Sequence, residues 1–110
     1  ATMDGAEPGG FPMGKFVMLI RYTDEGVRDF KGFRQRIAHA RKGAAELGVS
    51  IDAFYLTMGE HDAVVVFDAP DARTAAKLSL INAANGRVRA VTMPAFTEDE
   101  AAEIAAELPA

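Results

Sequence analysis

The chain divides into apolar runs of strand length and stretches with a helical period, separated by glycine, proline and capping residues. Residues 15–22 (KFVMLIRY) form an apolar run rich in β formers and predict a first strand. Thr23 and Asp24 then offer oxygen acceptors suited to a helix N-terminus. Phe30, Phe33, Ile37, Ala40, Ala44 and Leu47 follow at helical spacing along one stripe. Gly32 and Gly43 weaken this helix by roughly 1 kcal/mol each relative to alanine. The part before Gly32 is therefore expected to be irregular or a separate turn, and Gly48 to stop the helix in a left-handed cap. Residues 49–58 predict a second strand and residues 62–68 a third, joined by the short turn Gly59-Glu60-His61. Pro70 ends the third strand and Asp71 caps a second helix over 72–84, which Asn85-Gly86 stops. Residues 87–96 predict a fourth strand, with Pro94 near an edge or end. Thr97 and Glu100 have the spacing of a capping box that opens a terminal helix.

The order β-α-β-β-α-β predicts an α+β, ferredoxin-like domain: an antiparallel four-stranded sheet with two helices on one face, plus a C-terminal helix. Such a sheet leaves its other face in water, so its strands should alternate apolar and polar residues. These do not. Phe16, Met18 and Ile20 alternate with Val17 and Leu19; Ala63, Val65 and Phe67 alternate with Val64 and Val66. In the second strand Ile51, Ala53 and Tyr55 are expected on one face, with Phe54, Leu56 and Met58 on the other. Leaving several such side chains wet forgoes roughly 1.5–3 kcal/mol each, against a total stability of about 5–15 kcal/mol. A second copy packed sheet to sheet is the simplest cover, and larger even-numbered assemblies stay open. Beyond alanine, the terminal helix offers only Ile104 and Leu108 for that task.

Composition narrows the function. Hydrophobic residues make up 49% of the 110 and charged residues 25%, values of a globular domain rather than a disordered chain. No apolar run approaches the length of a membrane span. Cysteine is absent, which removes disulfides, thiol catalysis and thiolate metal sites, and two histidines cannot build an all-histidine metal site in one chain. The formal net charge of −4 has the wrong sign for a general nucleic-acid binder. No dinucleotide-binding, phosphate-loop, nucleophile-elbow or zinc-protease motif occurs, and no cofactor is expected. Residues 1–14, punctuated by Pro8, Gly9, Gly10, Pro12 and Gly14, read as a flexible arm or an expression remnant. Within it, Met13 is a plausible original start and Phe11 an alternative docking residue. Residues 15–108 read as one domain, and a cytoplasmic location is expected because the arm lacks the features of a secretory signal.

Three segments carry a family likeness: KFVMLIRYT at 15–23, AFYLTMGEHDAVVVFDAPD at 53–71 and VRAVTMPAFTEDE at 88–100. They resemble the GYD-domain family over about residues 15–108. The resemblance implies the dimeric α/β-barrel arrangement, in which two ferredoxin-like sheets pack face to face. Gly59 and Asp62 match the family signature in the second hairpin, whereas His61 stands at its tyrosine position, so a role requiring a phenol there does not carry over. The family has no established activity. Superfamily members include monooxygenases and isomerases, an analogy of fold alone.

The candidate site residues are few. His61 is a candidate acid–base group or ligand, because imidazole titrates near neutral pH. Its neighbour Asp62 is expected to bond the backbone of its own turn, with Gly59 as the turn glycine. Arg21 and Arg89 lie among apolar strand residues and suit a carboxylate or phosphate clamp, or pairing with Asp52, Asp62 or Asp68. Tyr22 and Tyr55, the only tyrosines, suit a pocket wall or a dimer seam. His39 is expected on the solvent side of its helix. Met18, Met58 and Met93 read as core filling. The basic stretch Arg28, Lys31, Arg34, Arg36, Arg41 and Lys42 carries half of the 12 basic residues and matches the acidic terminal helix in charge, within a chain or between copies. Together these features favour a homo-oligomeric protein that binds a small organic ligand or serves as an accessory protein without turnover. The alternatives are a cofactor-independent enzyme using His61 with Arg21, Tyr22 or Tyr55, and a pure assembly module.

Overall fold

A computed structural model describes residues 14–110. The arm expected over 1–14 lies outside the described residues, except for Gly14, which opens the first strand. The elements are β1 (Gly14–Tyr22), α1 (Asp24–Arg28), a 3-10 turn (Phe30–Gly32), α2 (Phe33–Glu46), β2 (Ser50–Leu56), β3 (Ala63–Ala69), α3 (Ala72–Ala84), β4 (Val88–Ala95) and α4 (Glu98–Ala106). The sheet has the order β2-β3-β1-β4, every pair antiparallel, which is the ferredoxin-like arrangement. The first helical stretch breaks ahead of Gly32, as its glycines predict. Gly48 and Gly86 carry the positive φ expected of helix stops, both at 79°. Pro94 sits on the edge strand β4, where its missing N–H leaves no inner ladder bond unmade.

One face of the sheet holds the core. Phe16, Met18 and Ile20 of β1 and Ala63, Val65, Phe67 and Ala69 of β3 are buried there beneath Ala44, Ala75 and Leu78 of the helices. Phe16 and Phe67 stack with ring centroids 5.6 Å apart. The opposite face carries Val17, Leu19, Val64, Val66, Val91 and Met93 in register across three strands. No helix covers it: every residue of α4 is exposed.

Three sequence expectations change here. A β-bulge between Ile51 and Ala53 shifts the phase of β2, so Ile51 pairs with Phe67 on the core face while Ala53 and Tyr55 join the open face. Strict alternation had grouped Ile51 with Ala53 and Tyr55, because a bulge leaves no mark on a period-2 pattern. Met58 is not core filling. The strand ends at Leu56, and Met58 lies in the loop, 96% exposed. Met93 belongs to the open face rather than the core, and only Met18 fills the interior.

The short helix α1 is strapped to the turn before β4. Thr23 N donates to Arg87 O at 3.0 Å, Thr23 Oγ1 donates to Gly86 O at 2.7 Å, and Arg87 Nε reaches Asp29 Oδ2 at 3.1 Å. Gly26 lies against that turn so closely that a Cβ would stand 2.1 Å from the Arg87 carbonyl oxygen. Gly43, by contrast, is an interior position of α2 where a Cβ meets nothing within 4 Å. Gly43→Ala should therefore stabilise the protein by about 1 kcal/mol, raising the melting temperature by about 4 °C. Gly26→Ala should destabilise it by about 2 kcal/mol or more. A Gly26→Ala variant that melts at or above the parent would show that the approach of α1 to the turn is not tight.

Candidate functional site

Where β1 runs into α1, the β2–β3 hairpin turns back beside it. Tyr22, Val27, Phe30, Leu56, Thr57 and Asp62 line an open cleft of about 270 Å³ at this end. Its floor is aromatic. Tyr22 stands edge-on to Phe30 at 5.4 Å, Phe30 stacks on Phe33 at 5.4 Å, and Phe33 leans on Phe54 at 5.0 Å. The cleft thus rests on the same apolar stripe that folds α2 onto the sheet.

Its polar side comes from the hairpin. Asp62 Oδ2 accepts from Tyr22 N at 2.8 Å, and Asp62 N donates to Ile20 O at 2.8 Å. Thr57 N donates to Asp62 O at 2.8 Å, and Thr57 Oγ1 donates to His61 O at 2.7 Å. The Asp62 carboxylate therefore ties the hairpin to β1 instead of bonding its own turn. The reason is register: Ala63 pairs with Ile20, so position 62 falls one step beyond the ladder, opposite a β1 amide without a strand partner. Gly59 takes φ of 106° in this loop, a conformation that suits glycine.

The candidate residues do not converge. Tyr22 and Asp62 share the cleft, and His61 sits half-buried next to it in the chain but is not part of its lining. Arg21 points away to the open sheet face, where Nη2 meets Glu60 Oε2 at 3.3 Å rather than any of the aspartates expected from sequence. Its register partner across the sheet is Arg89, so two like charges face each other at one end of the open face. At the other end Lys15 bridges Asp52 and Asp68, the latter at 3.0 Å. The hydrogen bonds its ammonium donates to these two carboxylates, Asp52 first, hold its pKa above the ordinary lysine range. Tyr55 lies between these ends, 60% exposed. His39 is exposed, as its helix position predicts.

Among the described residues no group of three or more His, Asp or Glu gathers closely enough to hold a metal ion. What the cleft offers is an apolar surface with one carboxylate and one phenol, suited to noncovalent recognition of a small apolar group that carries a hydrogen-bond donor. Val27, Phe30, Leu56 and Thr57 were not visible as site residues from sequence. Their spacing announces only core or turn, and the cleft arises because α1 stops short of covering β2. A second, larger open hollow of about 430 Å³ beside Gly48 and Ile51 is lined in part by Arg41, whose Nη1 donates to Ile51 O at 3.0 Å.

Burial raises the Tyr22 hydroxyl above its ordinary pKa, and the Asp62 charge raises it further. A raised folded value means the neutral phenol contributes stability below the unfolded tyrosine range, and that contribution is lost as pH rises through the folded value. Asp62→Asn should lower the Tyr22 titration toward the ordinary tyrosine range, followed by ultraviolet absorbance of the phenolate. An unchanged Tyr22 titration in that variant would separate the two groups electrostatically.

A family model described as GYD domain matches residues 16–105. A protein of Thermus thermophilus named "Glutamine synthetase and cystathionine beta-lyase binding protein" is 32% identical over 85 residues, which cover 76% of this chain and 90% of the relative. No solved structure matches the chain. With the family model matching residues 16–105 and the relative 32% identical over most of both chains, the chain belongs to the GYD-domain family.

Proposed function

We propose that this protein is an accessory protein without turnover, which assembles through its open sheet face and binds a metabolic enzyme. The observation that carries the reading is the uncovered apolar face. Tyr55 and Val91 are 60% and 57% exposed beside Val17, Leu19, Val64 and Val66, and among the described residues no element lies over them. Each such side chain contributes about 1.5–3 kcal/mol when fully withdrawn from water. Several from each of two copies are enough to exceed an association cost of about 4–15 kcal/mol. The occupant is a second copy, sheet on sheet. The charged ends of the face, Lys15 with its two aspartates and Arg21 with Arg89, give the pairing a preferred orientation. In the same reading the protein works in the cytoplasm, and a small organic ligand occupies the cleft at Tyr22 and Asp62.

The enzyme-binding part follows from the relative, whose printed name gives glutamine synthetase and cystathionine β-lyase as what that protein binds. Turnover with His61 as acid–base group has less support. His61 does not line the cleft, and Asp62 is committed to the Tyr22 amide.

Val66 and Val65 are neighbours in sequence on opposite faces, which makes a clean comparison. Val66→Asp and Val91→Asp should lower the molecular mass in light scattering while leaving the circular dichroism of the fold in place. Val65→Asp should unfold the chain, since it places an unpaired charge in the core. A mass unchanged by both open-face variants would overturn the sheet-to-sheet assembly. Titration calorimetry of the protein with purified glutamine synthetase and with cystathionine β-lyase should give saturable heat with at least one of them. Silence with both would overturn the enzyme-binding part alone.

A further inference from the structure

Two helical faces lie unpartnered among the described residues, and their patterns are complementary. On α3 the outward positions Arg73, Lys77, Leu80 and Ile81 combine two cations with two exposed aliphatic side chains, Leu80 at 70% and Ile81 at 50% exposure. They follow one another at the spacing of a single helix face, opposite the buried Ala75 and Leu78. α4 presents the counterpart. Ile104 and, just past the end of the helix, Leu108 are exposed aliphatic side chains, flanked by the carboxylates of Glu103 and of the C-cap residue Glu107. None of these charged groups makes an ion pair within the chain among the described residues. α4 is nevertheless a firmly started helix. Thr97 Oγ1 accepts from Glu100 N at 3.1 Å, and Glu100 Oε1 accepts from Thr97 N at 2.8 Å.

From this charge and apolar complementarity we infer that α4 docks on the outward face of α3 of a second copy. Ile104 and Leu108 pack on Leu80 and Ile81, and the α4 glutamates face Arg73 and Lys77. An acidic-aliphatic helix on a basic-aliphatic helix withdraws apolar surface from water, while the flanking charges select the pairing. The contact uses neither the open sheet face nor the cleft, so it does not rest on the sheet-to-sheet reading. Where both contacts form, they link copies through two different surfaces.

Charge exchange tests the inference in the full-length chain. One variant carries Glu103→Lys and Glu107→Lys at the C-terminal end of α4, and a second carries Arg73→Glu and Lys77→Glu on α3. Circular dichroism first establishes that each is folded. Sedimentation should give each variant alone a lower mass than the parent at the same concentration. An equimolar mixture of the two should recover the parent mass, because each α4 then meets a complementary α3 on the other chain. A control replacing the α3 pair by Arg34→Glu and Lys42→Glu on α2 should not rescue the α4 variant. Full parental mass in either variant alone would overturn the inference, as would failure of the mixture to recover. Rescue by the α2 control would move the docking face off α3. Failure of the sheet-to-sheet reading is distinguishable, because Val91→Asp leaves the charge-dependent recovery on mixing intact.

Discussion

A sheet that is apolar on both faces but has helices on only one is the constraint from which the rest of this structure follows. The core face is complete: Met18 and Phe67 are fully buried and the helices close over them. The other face repeats the same aliphatic pattern with nothing above it among the described residues. Because side chains alternate strictly between faces, β1 and β3 cannot supply a dry core on one side and the same residue types on the other without exposing the second set. The face is rimmed by charge, Lys15 with Asp52 and Asp68 at one end and Arg21 with Glu60 at the other, so it has an apolar centre and a polar border. That is the anatomy of an interface core and rim.

At one end of the sheet, a different economy of contacts operates. α1 is only five residues long and would not persist alone, so it is held by the Thr23 cap and by the turn at Gly86 and Arg87. The hairpin is held by Asp62, whose carboxylate satisfies a β1 amide beyond the ladder. These two straps leave the cleft between them open. Gly59 and Asp62 are structural residues here: the positive φ of one and the carboxylate of the other place the loop. Thr57 holds the His61 carbonyl and not its ring, so the loop's backbone bonds do not depend on the imidazole.

Much of the fold was legible in the sequence because its signals are local. Thr97 and Glu100 formed their capping box, Gly48 and Gly86 stopped their helices, and the stripe from Phe30 to Leu47 met the sheet. The bulge at Asp52 was not legible, since one inserted residue changes phase without changing composition. Asp62 was misplaced for a related reason: its partner, Tyr22 N, is 40 residues away in the chain, and turn rules consider only near neighbours. The cleft was hidden because its walls are ordinary core residues left uncovered by a short α1. The exposed Leu80 and Ile81 were concealed likewise, for a helix with apolar residues on both sides reads from sequence as a buried one.

The proposed covering of the open face can be tested directly in the unmodified protein. A soluble paramagnetic probe that relaxes exposed methyl groups in nuclear magnetic resonance should spare Val17, Leu19, Val64, Val66 and Val91 as thoroughly as it spares Val65, while relaxing Val27 on the outer side of α1. Methyl groups of the open face that relax as fast as that of Val27, at concentrations where the protein is folded, would contradict the account.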